Sequence, residues 1–491
     1  MRRSITILVL ASLALPWPGV ARAARSVPTG QHPPALEAQI DRWFTDAMEA
    51  IYRGRPSDAT RIADAMERAV PEDPRPYLLR ARILRLDVPD QNEDRDAIGP
   101  QVEDSKRVLE RAIAAADAIL ESDPESVAGH LYRGWAYMFL SQLHALANEY
   151  WGAGRKAAAG KEDLDFVLAR VPDNPDALFV QGVYLYFADI LPRMVKFARV
   201  LLRVPGGHRE RGLEYLEAAA QRHGPTEDDA KSIYGVVLFA FEGRLEDAIA
   251  RFDTVLADYP RNPTLVEPLA AMSLFFPAEM QEAQWLTAQT VDQAANSPEQ
   301  SERKVASRLQ FYLALQEMFM GQVERARDRL EQLSHNLPEN PDWLESDVLQ
   351  TLVDLDRMVG SEDAARGRVE ALPEKSALRQ RLYRRLQVPP PLEIDRRTLL
   401  ALQPALQALY AGDDARAAAA LDAVADQDAQ FLHFYRGELE LLRRQPDAAL
   451  PHFTRVLESK EDGCWSWFRF VAGLRVAEIH GERGETPRAV R

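Results

Sequence analysis

Two stretches of the sequence hold residue types that catalysis could use, but neither has the spacing that the chemistry requires. Gly154 and the pair Gly160-Lys161 resemble a phosphate-binding loop. Five residues separate the glycines instead of four, and no strand precedes them, so the backbone cannot form the cradle for phosphate. Ser301 and Lys304 match the serine–lysine pattern of penicillin-binding enzymes, yet the sequence has no Lys-Thr-Gly or Ser-Asp-Asn partner. The sequence therefore predicts no enzyme.

The nine histidines do not form a metal-binding pattern. No two of them stand three or four positions apart, the spacing that lets two ligands share one metal ion on a helix face. His130 and His144 fall on one face of a continuous helix, but about 21 Å apart at 1.5 Å per residue, which is too far for one ion. We therefore expect no metal and no cofactor.

The first residues have the pattern of a cleaved secretory signal peptide. Arg2-Arg3 precedes an apolar run from Ile5 to Leu15, and Ala21-Arg22-Ala23 offers small residues at the positions that a signal peptidase reads. The apolar run is about half of the roughly 20 residues that a bilayer span needs, so an uncleaved anchor is the less favoured alternative. We expect a mature, soluble periplasmic protein that begins near Ala24.

The composition is acidic. The formal net charge is −15, and removal of residues 1–23 takes away three arginines and no acidic residue. Such a balance opposes binding to nucleic acid and leaves at most peripheral contact with anionic membranes. Cys464 is the only cysteine, so no intramolecular disulfide can form, and its tryptophan neighbours favour a packed thiol.

The dominant pattern of the chain is helical and repetitive. Apolar residues recur at three- and four-residue steps, and prolines fall between the periodic stretches. A glycine, a small residue, a bulky residue and a proline recur at constant spacing in Gly243, Ala248, Phe252 and Pro260 and again in Gly321, Ala326, Leu330 and Pro338. These are the parts of a two-helix unit, which must stack with others to bury its apolar face. The pattern predicts an all-α fold, an α-solenoid of antiparallel helix pairs.

At these positions the sequence resembles the tetratricopeptide repeat family. The family's hallmark residues are also matched elsewhere, at Gly134, Tyr137, Gly437, Ala449 and Phe453. The resemblance implies a solenoid with a concave groove that serves as a scaffold for peptides or proteins. Because the matched residues are packing residues, they do not identify the partner.

Six segments are expected along the chain. They are a signal peptide at 1–23, a linker at 24–35, a repeat solenoid at 36–387 with a helical insertion at 183–211, a proline-rich linker at 388–395, C-terminal repeats with a capping helix at 396–480, and a disordered tail at 481–491. The polar stretch from Asp87 to Pro100 predicts a surface loop.

The insertion carries a short basic amphipathic helix on an otherwise acidic protein. Its cations recur every three or four residues, at Arg193, Lys196, Arg199 and Arg203. Such a helix can dock an acidic partner or lie on anionic lipid. The favoured alternative is an additional solenoid helix with a solvated basic face.

Three aromatic residues just before this helix form a second candidate binding site. Tyr184, Tyr186 and Phe187 could line a pocket, but aromatic residues at helical spacing more often pack in a core.

Two functional hypotheses follow. The first is a periplasmic scaffold that binds a peptide or protein partner, in an envelope assembly, secretion or transport complex. The second is a carrier of a small apolar ligand, since the repeats and insertion have a faint similarity to the T-component proteins of tripartite periplasmic transporters. An open polar groove would favour the scaffold, and a closed apolar channel would favour the carrier.

Overall fold

The structure is a computed structural model. It describes residues 26–86, 95–147, 149–190, 206–242, 244–260, 262–274, 280–297, 300–320, 322–337, 344–358, 361–374, 376–387, 402, 404–409, 412–424, 430–458 and 466–485.

The described residues are helical and contain no β-strand, so the predicted all-α fold is confirmed. The first ten helices are α1 Pro34–Tyr52, α2 Pro56–Ala69, α3 Arg75–Leu86, α4 Arg95–Ser122, α5 Val127–Leu146, α6 Tyr150–Arg170, α7 Pro175–Ile190, α8 Arg209–Ala220, α9 Glu227–Val237 and α10 Leu245–Asp258. A π-helical turn, Leu238–Glu242, continues α9. The later helices are α11 Pro263–Ser273, α12 Met280–Ala294, α13 Gln300–Phe319, α14 Val323–His335, α15 Leu344–Met358, α16 Glu362–Ala371, α17 Ala377–Leu386, α18 Asp414–Asp422, α19 Gln430–Leu442, α20 Pro446–Glu458 and α21 Ser466–Glu482.

Local signals set where these helices begin and end. Pro34 and Pro56 stand at the first positions of α1 and α2, where the fixed φ of proline suits a helix and its missing N–H costs nothing. Asn174 caps α7, since its Oδ1 accepts a hydrogen bond of 2.8 Å from the Ala177 amide. Gly54 adopts a positive φ of 68° in the turn between α1 and α2, a conformation that favours glycine.

The chain divides into two compact units. Unit 1 comprises Met1–Leu265 and Pro298–Ser301, and unit 2 comprises Val266–Ser297 and Glu302–Arg491. In unit 1 each helix packs against the next from α1 to α10, and the alternate helices α1, α3, α5, α7 and α9 also contact one another in that order. This is the arrangement of stacked helix pairs, with the first helix of every pair on one side.

Small residues occupy the helix crossings, as the repeat pattern predicts. Ala248 and Phe252 of α10 are buried, and the Phe252 ring packs on Gly235 of α9, where an added Cβ would lie 2.7 Å from the ring. The same contact occurs in unit 2 between Gly437 of α19 and Phe453 of α20, again at 2.7 Å. In both of these pairs the crossing is therefore too close for a side chain on the first helix.

Unit 2 repeats a buried ion pair as well as the packing pattern. Arg329 of α14 donates two hydrogen bonds, of 2.8 and 2.9 Å, to the buried carboxylate of Glu317 in α13. Arg368 of α16 donates one of 2.6 Å to the buried carboxylate of Asp356 in α15. Both pairs are separated by 12 positions. Each links the two helices of one pair, so the polar contacts share the periodicity of the core.

One predicted loop is shorter than expected. Residues 87–94 lie outside the described residues, but α4 begins at Arg95 and includes Pro100. Pro100 is in the second turn of α4, where its missing N–H removes only one hydrogen bond to the preceding turn. The favourable packing of the long apolar face of α4 outweighs that single loss.

Candidate functional site

The first helices of the early repeats form one continuous surface in unit 1. We call the surface built by α1, α3 and α5 the first-helix surface; α3 contacts both neighbours along it. A stretch of the chain without helix or strand, residues 26–30, lies on this surface ahead of α1. It is held by polar side chains from all three helices, which makes this the leading candidate for a recognition site.

Ser26 and Thr29 provide the main anchor points of this stretch. The Ser26 amide donates to Oδ1 of Asp41 in α1 at 3.0 Å, and the Ser26 hydroxyl donates to the same oxygen. The Thr29 amide and hydroxyl both donate to Oε1 of Glu37, at 3.2 and 3.0 Å. Tyr132 of α5 donates its phenol hydroxyl to the Val27 carbonyl at 2.6 Å. These contacts involve main-chain and hydroxyl groups, the groups that any extended peptide of suitable sequence offers.

Arg75, the first residue of α3, joins the contacts into one network. Its Nη1 donates to the Ser26 hydroxyl at 2.9 Å, and its Nη2 donates to Glu37 at 2.8 Å and to Asp73 at 2.7 Å. Its Nε donates to Asp73 at 2.9 Å, so every guanidinium nitrogen has a partner. The side chain is 0% exposed, and a buried cation is tolerated only with such complete pairing.

The Tyr132 ring completes the wall of the site. The Arg75 guanidinium lies 5.8 Å from the ring centre, within the range of a cation–π contact. Burial raises the pKa of the Tyr132 phenol well above its usual value. The hydroxyl therefore keeps its proton and acts as a hydrogen-bond donor at neutral pH. We call Glu37, Asp41, Asp73, Arg75 and Tyr132 the Arg75 cradle.

Farther along the interior of unit 1, distant repeats contact one another. Arg82 of α3 donates to both carboxylate oxygens of Asp229 in α9, at 2.8 and 3.1 Å, across 147 positions. The Asn262 side-chain amide donates to the carbonyl of Tyr52 at 2.5 Å, across 210 positions. The first and last repeats of unit 1 therefore meet around a buried polar core.

Two buried carboxyl groups in this interior are poised to titrate. Burial raises the pKa of Asp229 to about 7, although the Arg82 charge opposes the shift. Burial also raises the pKa of Asp176, at the start of α7, to about 6, and the Thr226 hydroxyl, which donates to Asp176 at 2.8 Å, opposes the shift. Burial therefore makes both carboxyl groups hold a proton more readily than an exposed aspartate does.

The predicted aromatic residues lie near the end of α7. Tyr186 and Phe187 are buried and pack edge-to-face with Phe241 of the π-helical turn, with ring centres 6.1 and 5.5 Å away. The Tyr186 hydroxyl donates to Glu242 at 2.5 Å, and Tyr184 is half-buried. Ligand binding by these residues stays a prediction. The predicted basic residues Arg193, Lys196, Arg199 and Arg203 lie outside the described residues.

The motifs that resemble catalytic sites have ordinary structural positions. Gly154 and Gly160-Lys161 lie within α6, so their backbone amides are not free to form a phosphate cradle. His130 lies 2.7 Å from Asp163 and stacks on the Phe166 ring, while His144 contacts Glu149. No cluster of three or more potential metal ligands occurs among the residues that the structure describes. Nor does any helix in that part of the chain combine the length and apolar character needed to span a bilayer.

Sequence reasoning did not find the Arg75 cradle. Its members are spread over about a hundred positions, and only the stacking of α1, α3 and α5 brings them together. One local signal was present, because Arg75 and Arg82, two of the four arginines of α3, are seven positions apart. That spacing places both cations on one face of α3, the face that turns out to be buried.

Comparisons with solved structures align nearly the whole chain, at low identity and low TM-score. A human IFIT1 dimer with m7Gppp-AAAA is 11% identical over 92% of this chain and 94% of its own, with a TM-score of 0.36. The Cut9–Hcn1 hetero-tetramer of the APC/C is 13% identical over 92% and 85%, with a TM-score of 0.28. The P58(IPK) TPR domain is 10% identical over 91% and 99%, with a TM-score of 0.19. At these scores the likeness carries no argument about function.

The sequence comparison is more informative. No curated protein matches the chain. A tetratricopeptide repeat family model matches residues 197–263, a range that includes α8, α9 and α10 with the Gly235–Phe252 crossing. The same crossing recurs in unit 2, and both units consist of stacked helix pairs. Residues 197–263 therefore resemble tetratricopeptide repeats, and the described helices outside that range share the same paired-helix packing.

Proposed function

We propose that this protein is an exported, non-enzymatic scaffold that binds a protein partner through an extended segment of that partner. The observation that carries the proposal is the Arg75 cradle, which holds residues 26–29 by hydrogen bonds to their amides, carbonyl and hydroxyl groups. A surface built this way recognises backbone groups together with side-chain hydroxyl groups, which suits peptide binding.

The chemistry of the cradle supports binding rather than catalysis. Each polar group of Arg75 is already paired, and the carboxylates of Glu37 and Asp73 accept charged hydrogen bonds from it. A general base or a nucleophile has to present an unpaired reactive group to its substrate. A fully paired, buried network instead offers rigid hydrogen-bonding positions.

The proposed location follows from the amino-terminal sequence pattern. Processing after Ala23 would leave Ala24 and Arg25 ahead of Ser26, which is held by the cradle. The intact mass of the protein isolated from the periplasmic fraction should correspond to a chain that begins at Ala24. A mass that retains Met1, together with fractionation in the membrane pellet, would contradict export as a soluble protein.

A partner within an envelope complex is the simplest role for such a scaffold. Gentle extraction of the envelope followed by size-exclusion chromatography and chemical crosslinking tests this role. The protein should elute well above the mass of one chain, which is 55.3 kDa before processing, and should crosslink to a second polypeptide. Elution only at the mass of one chain, with no crosslinked partner, would exclude the scaffold function under those conditions of expression and extraction.

A further inference from the structure

We propose that residues 26–30 are a resident peptide ligand of the Arg75 cradle, and that a partner segment binds there by displacing them. The inference rests on the proposed scaffold function and adds the class of peptide that the site takes. That class is an extended peptide with hydroxyl residues at its first and fourth positions, as in Ser26-Val-Pro-Thr-Gly30.

The pattern of burial defines this class. Ser26 and Thr29 are buried, Val27 is half-buried, and Pro28 and Gly30 are exposed. The two buried residues are also the two whose side chains and amides donate to the cradle carboxylates. Pro28, the exposed residue just before Thr29, has no N–H group and so needs no acceptor for an amide. The site therefore reads two hydroxyl residues three positions apart and tolerates variation between them.

The resident segment has the properties of a replaceable ligand. It contributes no helix, and its exit is a turn at Gly30, where φ is 75°, followed by the exposed residue Gln31. Its removal would leave Nη1 of Arg75 and the hydroxyl of Tyr132 without their partners, although both side chains are buried. A vacant cradle therefore favours a new peptide that supplies an equivalent hydroxyl and carbonyl.

The tether sets how tightly a competitor must bind. Only residues 31–33 connect the segment to α1, which starts at Pro34. A short connection of this kind gives an effective concentration in the millimolar range. A partner at micromolar concentration must therefore bind the vacant cradle more tightly than the resident segment does.

The test breaks the tether in the full-length protein. A protease site is inserted between the exposed residues Gly30 and Gln31, and the folded protein is cut. Binding of a fluorescent peptide with the sequence of residues 24–30, ARSVPTG, is then measured by polarisation. The peptide should bind the cut protein at least tenfold more tightly than the uncut protein. A peptide with alanine and valine in place of Ser26 and Thr29 should bind at least tenfold more weakly.

A matched pair of tyrosine variants controls for general effects. Tyr132→Phe removes the hydroxyl that donates to Val27, and Tyr77→Phe removes one that donates to the Pro71 carbonyl at the same distance of 2.6 Å. The lost hydrogen bond should weaken the peptide roughly 3- to 10-fold in Tyr132→Phe and less than twofold in Tyr77→Phe. Equal effects in the two variants would overturn the proposal.

A second measurement covers the case in which the cut protein does not stay folded. In the uncut protein, Tyr132→Phe should speed hydrogen exchange of the Ser26 and Thr29 amides 3- to 10-fold and leave the amides of α1 unchanged. Faster exchange in α1 as well would identify the segment as part of the core and overturn the proposal. If the cut, folded protein does not bind the peptide but still binds its envelope partner, only this inference fails. If it binds the peptide but has no partner, only the scaffold function fails.

Discussion

The crossing of Gly437 and Phe453 offers the sharpest test of the packing. A Cβ at Gly437 would lie 2.7 Å from two carbons of the Phe453 ring, whereas carbon atoms in contact normally stay 3.5 to 4.0 Å apart. The ring would have to move by about 1 Å. It is fully buried and packs edge-to-face on Phe434 with ring centres 5.9 Å apart, so it has little freedom to move. Overpacking of this kind costs about 1–3 kcal/mol.

A gain in helix propensity opposes this cost. Alanine is about 1 kcal/mol more favourable than glycine inside a helix. Gly437→Ala should therefore lower the net free energy of unfolding of unit 2 by about 0–2 kcal/mol. Gly367→Ala in α16 is the matched control, because no heavy atom lies within 4 Å of its added Cβ. It should stabilise unit 2 by about 0.5–1 kcal/mol.

A double-mutant cycle with Phe453→Leu isolates the clash. The smaller side chain makes room for the new methyl group, so Gly437→Ala should cost less, or even stabilise, in the Phe453→Leu background. The coupling free energy should be about 1–3 kcal/mol, measured by urea unfolding followed with circular dichroism. The reasoning is refuted if the two substitutions are additive, or if Gly437→Ala stabilises as much as Gly367→Ala does.

Two further predictions concern charge. Because burial raises the pKa of Asp176 to about 6, the folded state binds its proton more tightly than the unfolded state, and stability falls as pH rises from about 4 to 6. Asp176→Asn should reduce this fall in the free energy of unfolding by about 3 kcal/mol, measured by urea unfolding at pH 4 and pH 7. An unchanged pH dependence would contradict the prediction. In the insertion, we expect Arg193→Glu with Arg199→Glu to shift stability by less than about 0.5 kcal/mol, whereas Phe197→Asp unfolds the region in thermal melts. A salt-sensitive partner lost on charge reversal, with the fold intact, would show a docking role instead.

The repeat fold could be predicted from sequence because its signals are local. Ala248 and Phe252 are four positions apart, and that spacing alone places them on one face of a helix. Their burial in the structure confirms the expected crossing. The sequence predicts a loop as far as Pro100 because proline usually breaks a helix. In the structure the helix begins at Arg95, before that proline.

The Arg75 cradle could not be predicted in the same way. Asp41 and Tyr132 are 91 positions apart in the sequence, and a polar residue carries no periodic signal of what it pairs with. Arg75 looks like a solvated cation until the surrounding helices bury it. The site depends on the relative placement of three repeats, which is a tertiary property.

The contacts across the interior of unit 1 change how this repeat array can fold and evolve. Arrays whose repeats touch only their neighbours behave as one-dimensional chains, in which folding can start anywhere and units can be added or lost. Here Arg82 cannot form its ion pair until Asp229 is in place. The Tyr52 carbonyl likewise cannot accept its hydrogen bond until Asn262 is in place. Duplication or deletion of one repeat between these partners would separate them. The two contacts therefore constrain the number of repeats between them.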